Sequence, residues 1–513
     1  MLKLASVRYC IVAAALPLLC DNARSLAGAL GRLYCLNRTD YNARSRPNGS
    51  TQISSRHHPF EFVRELVRRP TRMGNSVSNP MGPSFADQLV PPMRRKVSRM
   101  TLRRATAVLY LCLDPALTHA QPSPAAQATL AITGVAVVDG TGSGAQPRKT
   151  VVIVGNRIDV IVDANAKASI PKGARTISGK GLFIIPGLWD MHVHLHEKDL
   201  PVLVAHGVTG VRDMGNILSD VDVWRARIGT GALIGPQIFR VGPILNGKAF
   251  GPAQVAIMTD VEARTAVRLL KQVGVDAIKL HRILPREAYF ALADEAKKQS
   301  IPFVGHVPPW ITIEEASDAG QASIEHMETL LDRNTPVNTA NAPELFARLV
   351  KNNTAYTPVL VAFRGSAEPA NIDSTLGTKI PEIAAGRKRI FGEFLELVGL
   401  MNRTGVNLMT GTDLGVKWIS PGQSLHEEIA YLVDAGLTPM QALQAATRNP
   451  ARFLGVNAGT VEPGKLANLV LLDANPLEDI RNTKRIHGVV LDGKYFGRAQ
   501  LDTLLKGQRQ GGH

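Results

Sequence analysis

The sequence predicts an α/β fold: a (β/α)8 TIM barrel with a small flanking β-sandwich domain built from both ends of the folded chain. Strand-like and helix-like segments alternate between Pro186 and about Val456, which implies parallel strands joined by helical crossovers. Clusters of short β-rich segments lie on either side of that stretch. Finally, His192, His194, Lys279, His306, His326 and Asp413 end successive strand-like segments. In such a barrel those positions converge on one rim.

The N-terminal strands come first. Residues 130–139 are rich in Val, Ile and Ala and lead into a Gly-rich turn; residues 150–154 and 157–161 follow, with Gly155-Asn156 between them reading as a tight hairpin turn. The same style returns at residues 468–473 and 488–494. Strand clusters at the two ends can pair into one sheet domain, assigned to residues 121–185 with 457–505. Within 186–456 the strands end near His194, Met214, Gly242, Lys279, His306, His326, Val359 and Asp413. The helices between them cover 261–273, 286–299, 380–401, 424–435 and 440–453. Eight strands in about 250 residues is the size of a closed barrel of β/α units. A doubly wound open sheet would scatter the six polar residues, and the chain has no Gly-rich dinucleotide loop.

The first 120 residues differ in kind. They carry 18 Lys+Arg, 16 of them Arg, against 6 Asp+Glu, a net of +12, so the total of +16 leaves only +4 for the other 393 residues. The pI of 9.8 therefore does not describe the folded part, and no nucleic-acid partner is expected. All four cysteines, Cys10, Cys20, Cys35 and Cys112, also lie here, so the remainder uses neither disulfides nor thiolate ligands. Residues 1–92 read as a basic, disordered extension, or as sequence upstream of a true start at Met93 or Met100. Residues 93–120 read as a signal peptide: a basic run from Arg94 to Arg104, an apolar core from Ala105 to Leu113, and a small-residue exit near Ala120. The mature chain is expected in the periplasm or secreted, and in the cytoplasm if that segment is not a signal. No other stretch approaches a membrane span, so no stable membrane insertion is expected after processing.

His192-Val193-His194 is the most informative triplet. Two histidines at i and i+2 on a strand project from one face, and neutral imidazoles side by side are good ligands for a divalent transition metal. Four imidazoles and a carboxylate without thiolate suit Zn²⁺, with Mn²⁺, Co²⁺ or Fe²⁺ as alternatives.

The residues carry a resemblance. Pro186-Gly187-Leu188-Trp189-Asp190-Met191-His192-Val193-His194-Leu195 is similar to the opening motif of the metal-dependent amidohydrolase superfamily. Further matches follow in family order: Gly207 to Gly215, Asp276-Ala277-Ile278-Lys279, Gly305-His306, Ile324-Glu325-His326, Gly411-Thr412-Asp413 and the tail Gly464 to Asp473. The likeness spans about residues 129–500 and is strongest to the imidazolonepropionase-like branch, which contains Xaa-Pro dipeptidases and carboxypeptidases. Asn468 stands where that branch usually has Asp.

The resemblance implies two divalent metal ions. His192, His194 and Asp413 would hold one, His306 and His326 the other, and Lys279 would bridge them after carboxylation by CO2, which requires a neutral amine. Two metals so placed share a hydroxide with a lowered pKa; Asp413 would take its proton and pass it to the leaving amine. Lys279 and Asp413 are thus the expected catalytic residues. His281, Arg212 and Tyr289 are candidates to contact substrate, with Tyr356 and Arg364 behind them, and Glu325 reads as an orienter of a histidine. The expected reaction is hydrolysis of a peptide or amide C–N bond in a small carboxylate-bearing substrate or dipeptide, by a chain with scope for homo-oligomerisation. The alternatives are a mononuclear cyclic-amide hydrolase, a phosphotriester or lactone hydrolase, and an inactive barrel that only binds.

Overall fold

The computed structural model describes residues 129–165, 170–331 and 336–509, all in the compact unit Ser98–His513. The expected basic extension and signal peptide lie outside the described residues.

The chain opens on antiparallel strands β1 (Thr129–Val137), β2 (Gln146–Val154) and β3 (Arg157–Asp163), with the hairpin turn at Gly155-Asn156 as expected. Strands β4 (Arg175–Ser178) and β5 (Phe183–Pro186) lie parallel to β1. Strands and helices then alternate: β6 (Leu188–Val193), α1 (Leu200–Ala205), β7 (Val208–Asp213), α2 (Leu218–Gly229) and β8 (Gln237–Arg240). Next come β9 (Ile244–Asn246), β10 (Gln254–Ala256), α3 (Asp260–Val273), β11 (Ile278–Leu280) and α4 (Arg286–Lys298). They are followed by β12 (Phe303–Gly305), α5 (Ile313–Asp318), β13 (Ser323–Glu325), α6 (Ala342–Lys351) and β14 (Ala355–Thr357). Helices α7 (Leu360–Ser366), α8 (Ile380–Thr404), α9 (Gln423–Asp434), α10 (Pro439–Ala445) and α11 (Arg448–Phe453) complete this part. The chain returns through β15 (Leu469–Leu472), β16 (Ile486–Leu491), β17 (Lys494–Gly497) and α12 (Arg498–Arg509).

Both ends of the chain share one eight-stranded sheet, ordered β17-β16-β15-β5-β1-β2-β3 with β4 on β1. The strand clusters at the two ends thus pair into one sheet domain, in which β1 meets β4 through Leu130–Thr133 and β5 through Ala136–Val137. Its register shifts within β1, at Ile132/Val135 and Val135/Val137, are bulges that bend a strand. They let β4 and β5 pair in turn along it, while Ile132, Val151, Ile153, Ile184, Leu469 and Leu471 close a common core. Asn468 serves this sheet: its side-chain oxygen accepts from the Asp492 N–H at 2.7 Å.

The alternating part forms two parallel sheets, β6-β7-β8 and β10-β9-β11-β12-β13-β14. Sequence signals for the helix ends are satisfied locally. Thr259 with Glu262, Thr312 with Glu315 and Thr438 with Gln441 form capping boxes at the starts of α3, α5 and α10. The predicted helix 440–453 is broken in two, because Thr447 takes non-helical angles (φ −138°, ψ −80°).

The strand expected to end at Asp413 is likewise not regular. Residues 407–414 nevertheless run between β14 and β6. The Met409 N–H bonds Tyr356 O and the Met191 N–H bonds Thr410 O, both at 2.9 Å, and isolated parallel bridges join Tyr356 to Leu408 and Val193 to Leu414. On the far side, the Asp276 N–H bonds Arg240 O at 2.8 Å, linking β8 to the approach to β11.

Candidate metal centre

Every residue of β6 is buried, and its alternation puts Asp190, His192 and the following His194 on one face. Asp190 ties that strand to the 407–414 segment: its carboxylate accepts from the Thr412 N–H at 3.0 Å and the Thr412 hydroxyl at 2.6 Å. The Asp413 N–H donates to His192 O at 2.8 Å. These bonds bring Asp413 Oδ1 to 3.6 Å from His192 Nε2 and 3.5 Å from His194 Nε2. One ligand atom from each of the three residues lies within 4.8 Å of the others.

Lys279, in the middle of β11 and 1% exposed, places Nζ 3.4 Å from His192 Nε2. His306 and His326 follow β12 and β13. Their rings stack at 4.6 Å between centroids, and the His326 ring also lies 4.6 Å from that of His192. Glycines make this convergence possible. A Cβ on Gly305 (φ +122°) would meet Leu280 O at 2.4 Å, and one on Gly411 would meet the His192 Cβ at 2.8 Å. His326 (φ +67°) and Asp413 (φ +59°) are themselves left-handed without being glycine. Such angles cost roughly 1–3 kcal/mol and persist where the surroundings enforce them.

Behind the cluster, Glu325 Oε2 lies 3.1 Å from His192 Nδ1 and its other oxygen accepts from Arg212 Nη2 at 2.7 Å. A carboxylate can only accept, so Nδ1 carries the proton and the Nε2 lone pair faces Asp413 and Lys279. His194 is oriented in the same way by Nδ1 donating to Gly215 O at 3.1 Å.

Burial controls the protonation states. It holds His192, His306 and His326 well below their usual range, and the Lys279 charge adds to this in each case. Neutral imidazoles can coordinate. Desolvation lowers the Lys279 amine to about 8 and raises Asp413, against the opposing pull of His194 and Lys279. The donor set fits a divalent cation by one further observation: His306 Nδ1 is buried with no hydrogen-bond partner.

The structure thus brings together all six expected ligand-type residues. His281 stands beside them, its ring 4.4 Å from that of His306 and its Nδ1 3.4 Å from the Asn246 amide. Two expectations are corrected. Arg212 is 1% exposed and spends its guanidinium on Met191 O, Ser323 and Glu325, so it braces the centre from beneath and is closed to substrate. Tyr289 is fully buried on α4, with its hydroxyl donating to Gln321 at 2.6 Å. Tyr356 is also buried and donates to His326 O at 2.9 Å, and Arg364 is ion-paired with Glu368.

Asp190 was not singled out by the sequence, although its spacing of two from His192 was the available signal. Asp213 was also missed. Its carboxylate accepts from the Gly215 N–H and the Asn216 amide, and burial raises its pKa. Glu328, two residues beyond His326, has a buried, unpartnered Oε2, and burial pushes its carboxyl up to about 7.

The sequence profile described as "Amidohydrolase family" matches residues 183–495. The chain is similar to an ochratoxinase of Aspergillus niger, 24% identical over 506 residues and covering 84% of this chain and 96% of that protein. It is also similar to an imidazolonepropionase of Mesorhizobium japonicum, 26% identical over 366 residues, 62% of this chain and 86% of the relative. Among solved structures, a Xaa-Pro dipeptidase with bound methionine in its active site superposes with a TM-score of 0.60. That protein is 25% identical, and the match covers 72% of this chain and all of the other.

Proposed function

This chain belongs to the amidohydrolase family and is a hydrolase of C–N bonds, and we propose that it cleaves the peptide or amide bond of a small carboxylate-bearing substrate. The observation that carries the reading is the convergence of His192, His194 and Asp413 beside Lys279. Two divalent ions, with Zn²⁺ favoured by the donor set, would be held by His192, His194, His306, His326, Lys279 and Asp413. When bound, such ions supply an acidified water and polarise a carbonyl at neutral pH.

The chain's own residues do the rest. Lys279 is dry and its amine is depressed, so a larger share is neutral and able to add CO2 at Nζ, releasing a proton and leaving an anionic carbamate. Asp413, raised by burial and 3.5 Å from His194, is placed to take a proton from the attacking water and hand it to the departing nitrogen. His281 lines the side of the site next to His306. The backbone bonds that carry β14 through 407–414 into β6, and β8 towards β11, support reading the two parallel sheets as one eight-stranded barrel over 186–456. The sheet shared by 121–185 and 457–505 would then be its flanking domain.

Metal-loaded protein should be screened against Xaa-Pro dipeptides, N-acyl amino acids, cyclic amides, lactones and phosphotriesters. Chelator-sensitive release of a free amine from the first two classes is the expected result. Turnover confined to cyclic amides, lactones or phosphotriesters would move the assignment to that class, and no turnover at all would leave only a binding role.

A further inference from the structure

A cavity of about 700 Å³ opens at the end of the parallel sheets opposite the metal centre. Ala277, Pro302, Ala322 and Asn353, which line it, stand just before β11, β12, β13 and β14, whereas His306 and His326 come just after strand ends. Its volume lies within the range of small-molecule sites, about 300–1,000 Å³. Arg448 and Arg452 of α11 line it, and both also line an adjoining cavity of about 300 Å³ that contains Lys465.

Among the described residues neither Arg448 nor Arg452 is in an ion pair, although Glu462 lines the adjoining cavity with them. Arg448 donates from Nη1 to Thr141 O at 3.1 Å, but its Nε is buried with no partner. Its guanidinium is held below the usual range by burial and by the like charge of Arg452, with no carboxylate acting in the opposite direction. Asp276, the one acidic residue among the described residues that line the larger cavity, already accepts from the Arg240 N–H at 2.8 Å and faces Arg225. The rest of the lining is mixed: Phe239, Phe453 and Leu454 form an apolar part, and Arg212, Asn353, Asn407 and Asn449 a polar one. Two guanidinium groups with spare donors match a carboxylate bidentately, and the apolar part matches a hydrocarbon or aromatic body.

We propose that this cavity is a second binding site, separate from the metal centre, for a small organic carboxylate with an apolar body, held by Arg448 and Arg452. The site adjoins the bracing of the metal centre. Phe453 lies 5.4 Å from the Arg212 guanidinium, and Arg212 reaches His192 through Glu325. The proposal is independent of which amide the enzyme cleaves.

The test is calorimetric titration of the full chain with octanoate as probe, with inorganic phosphate in parallel. Saturable binding is expected, about tenfold or more tighter than phosphate, because phosphate cannot use the apolar walls. It should survive metal chelation. Arg452→Gln, an exposed position, should weaken it about tenfold through loss of a charge-assisted contact. Ala322→Phe, which fills the cavity without altering charge, should weaken it as well. The proposal is overturned by no saturation up to ~10 mM, by affinity unchanged in both variants, by loss of binding on chelation, or by phosphate binding as tightly as octanoate. Binding seen only after removal of residues 1–120 would also overturn it, since the chain's own N-terminal segment would then be the occupant.

Discussion

Glu325 shows how much a single buried carboxylate decides. It neutralises Arg212, fixes the His192 tautomer and is itself fully buried. Glu325→Gln should weaken metal binding by about 10–100-fold, as loss of such outer partners does, measured by competition with a chromophoric chelator; an unchanged affinity would remove its orienting role. Asp413→Asn should preserve the circular dichroism spectrum yet lower kcat by at least ~10²-fold, the lower end for general acid–base groups. Turnover of the Asn variant near the wild-type rate would refute the proton-transfer role. The ligand-type residues were legible in the sequence because each ends a strand-like segment. The bracing residues were less so: Glu325 was readable beside His326, but the strand Val208–Asp213 is buried at every position, and pattern alone does not tell which face an arginine enters. Arg212 therefore read as a substrate grip and proved to be a foundation.

The element that joins β14 to β6 is the one the sequence described least well. Residues 407–414 make strand-like bonds without a regular ladder, because Asp413 must turn left-handed to aim its carboxylate at the two histidines. Helices fared better, and the predicted spans of α3, α4, α8 and α9 fall within a few residues of those found. Helix α9 carries a further liability. Glu428 is buried, accepts from the Val361 N–H at 2.8 Å at the start of α7, and leaves its other oxygen without a partner. Desolvation raises its pKa to about 8, against the backbone N–H groups of Val361, Leu360 and Val359 and with a small push from Asp190. A carboxyl raised in the folded state contributes its full stability below the unfolded value near 4.3 and loses it as pH rises through about 8. Glu428→Gln should therefore match wild type at pH 4.5 and exceed it by roughly 2–4 kcal/mol at pH 8. Urea unfolding at the two pH values measures this. A gain that was the same at both would mean that Glu428 is ionised throughout.

At the scale of the whole molecule, both ends of the folded chain meet in one sheet and the alternating segments between them form parallel sheets, as the periodicity foretold. Among the described residues no helix is long and apolar enough to cross a membrane. Strand β1 starts at Thr129, so a chain beginning at Gln121 should fold, load metal and turn over like the full chain, which expression and kinetics of the two would compare. A truncated chain that failed to fold would restore the Arg-rich segment as a working part of the molecule. A centre built by six side chains, Lys279 among them, is tested most directly by counting metal. Elemental analysis of purified protein should give close to two divalent ions per chain, falling clearly in Lys279→Ala, because the ligands exceed what one tetrahedral ion takes up. One ion per chain, unaffected by Lys279→Ala, would contradict it.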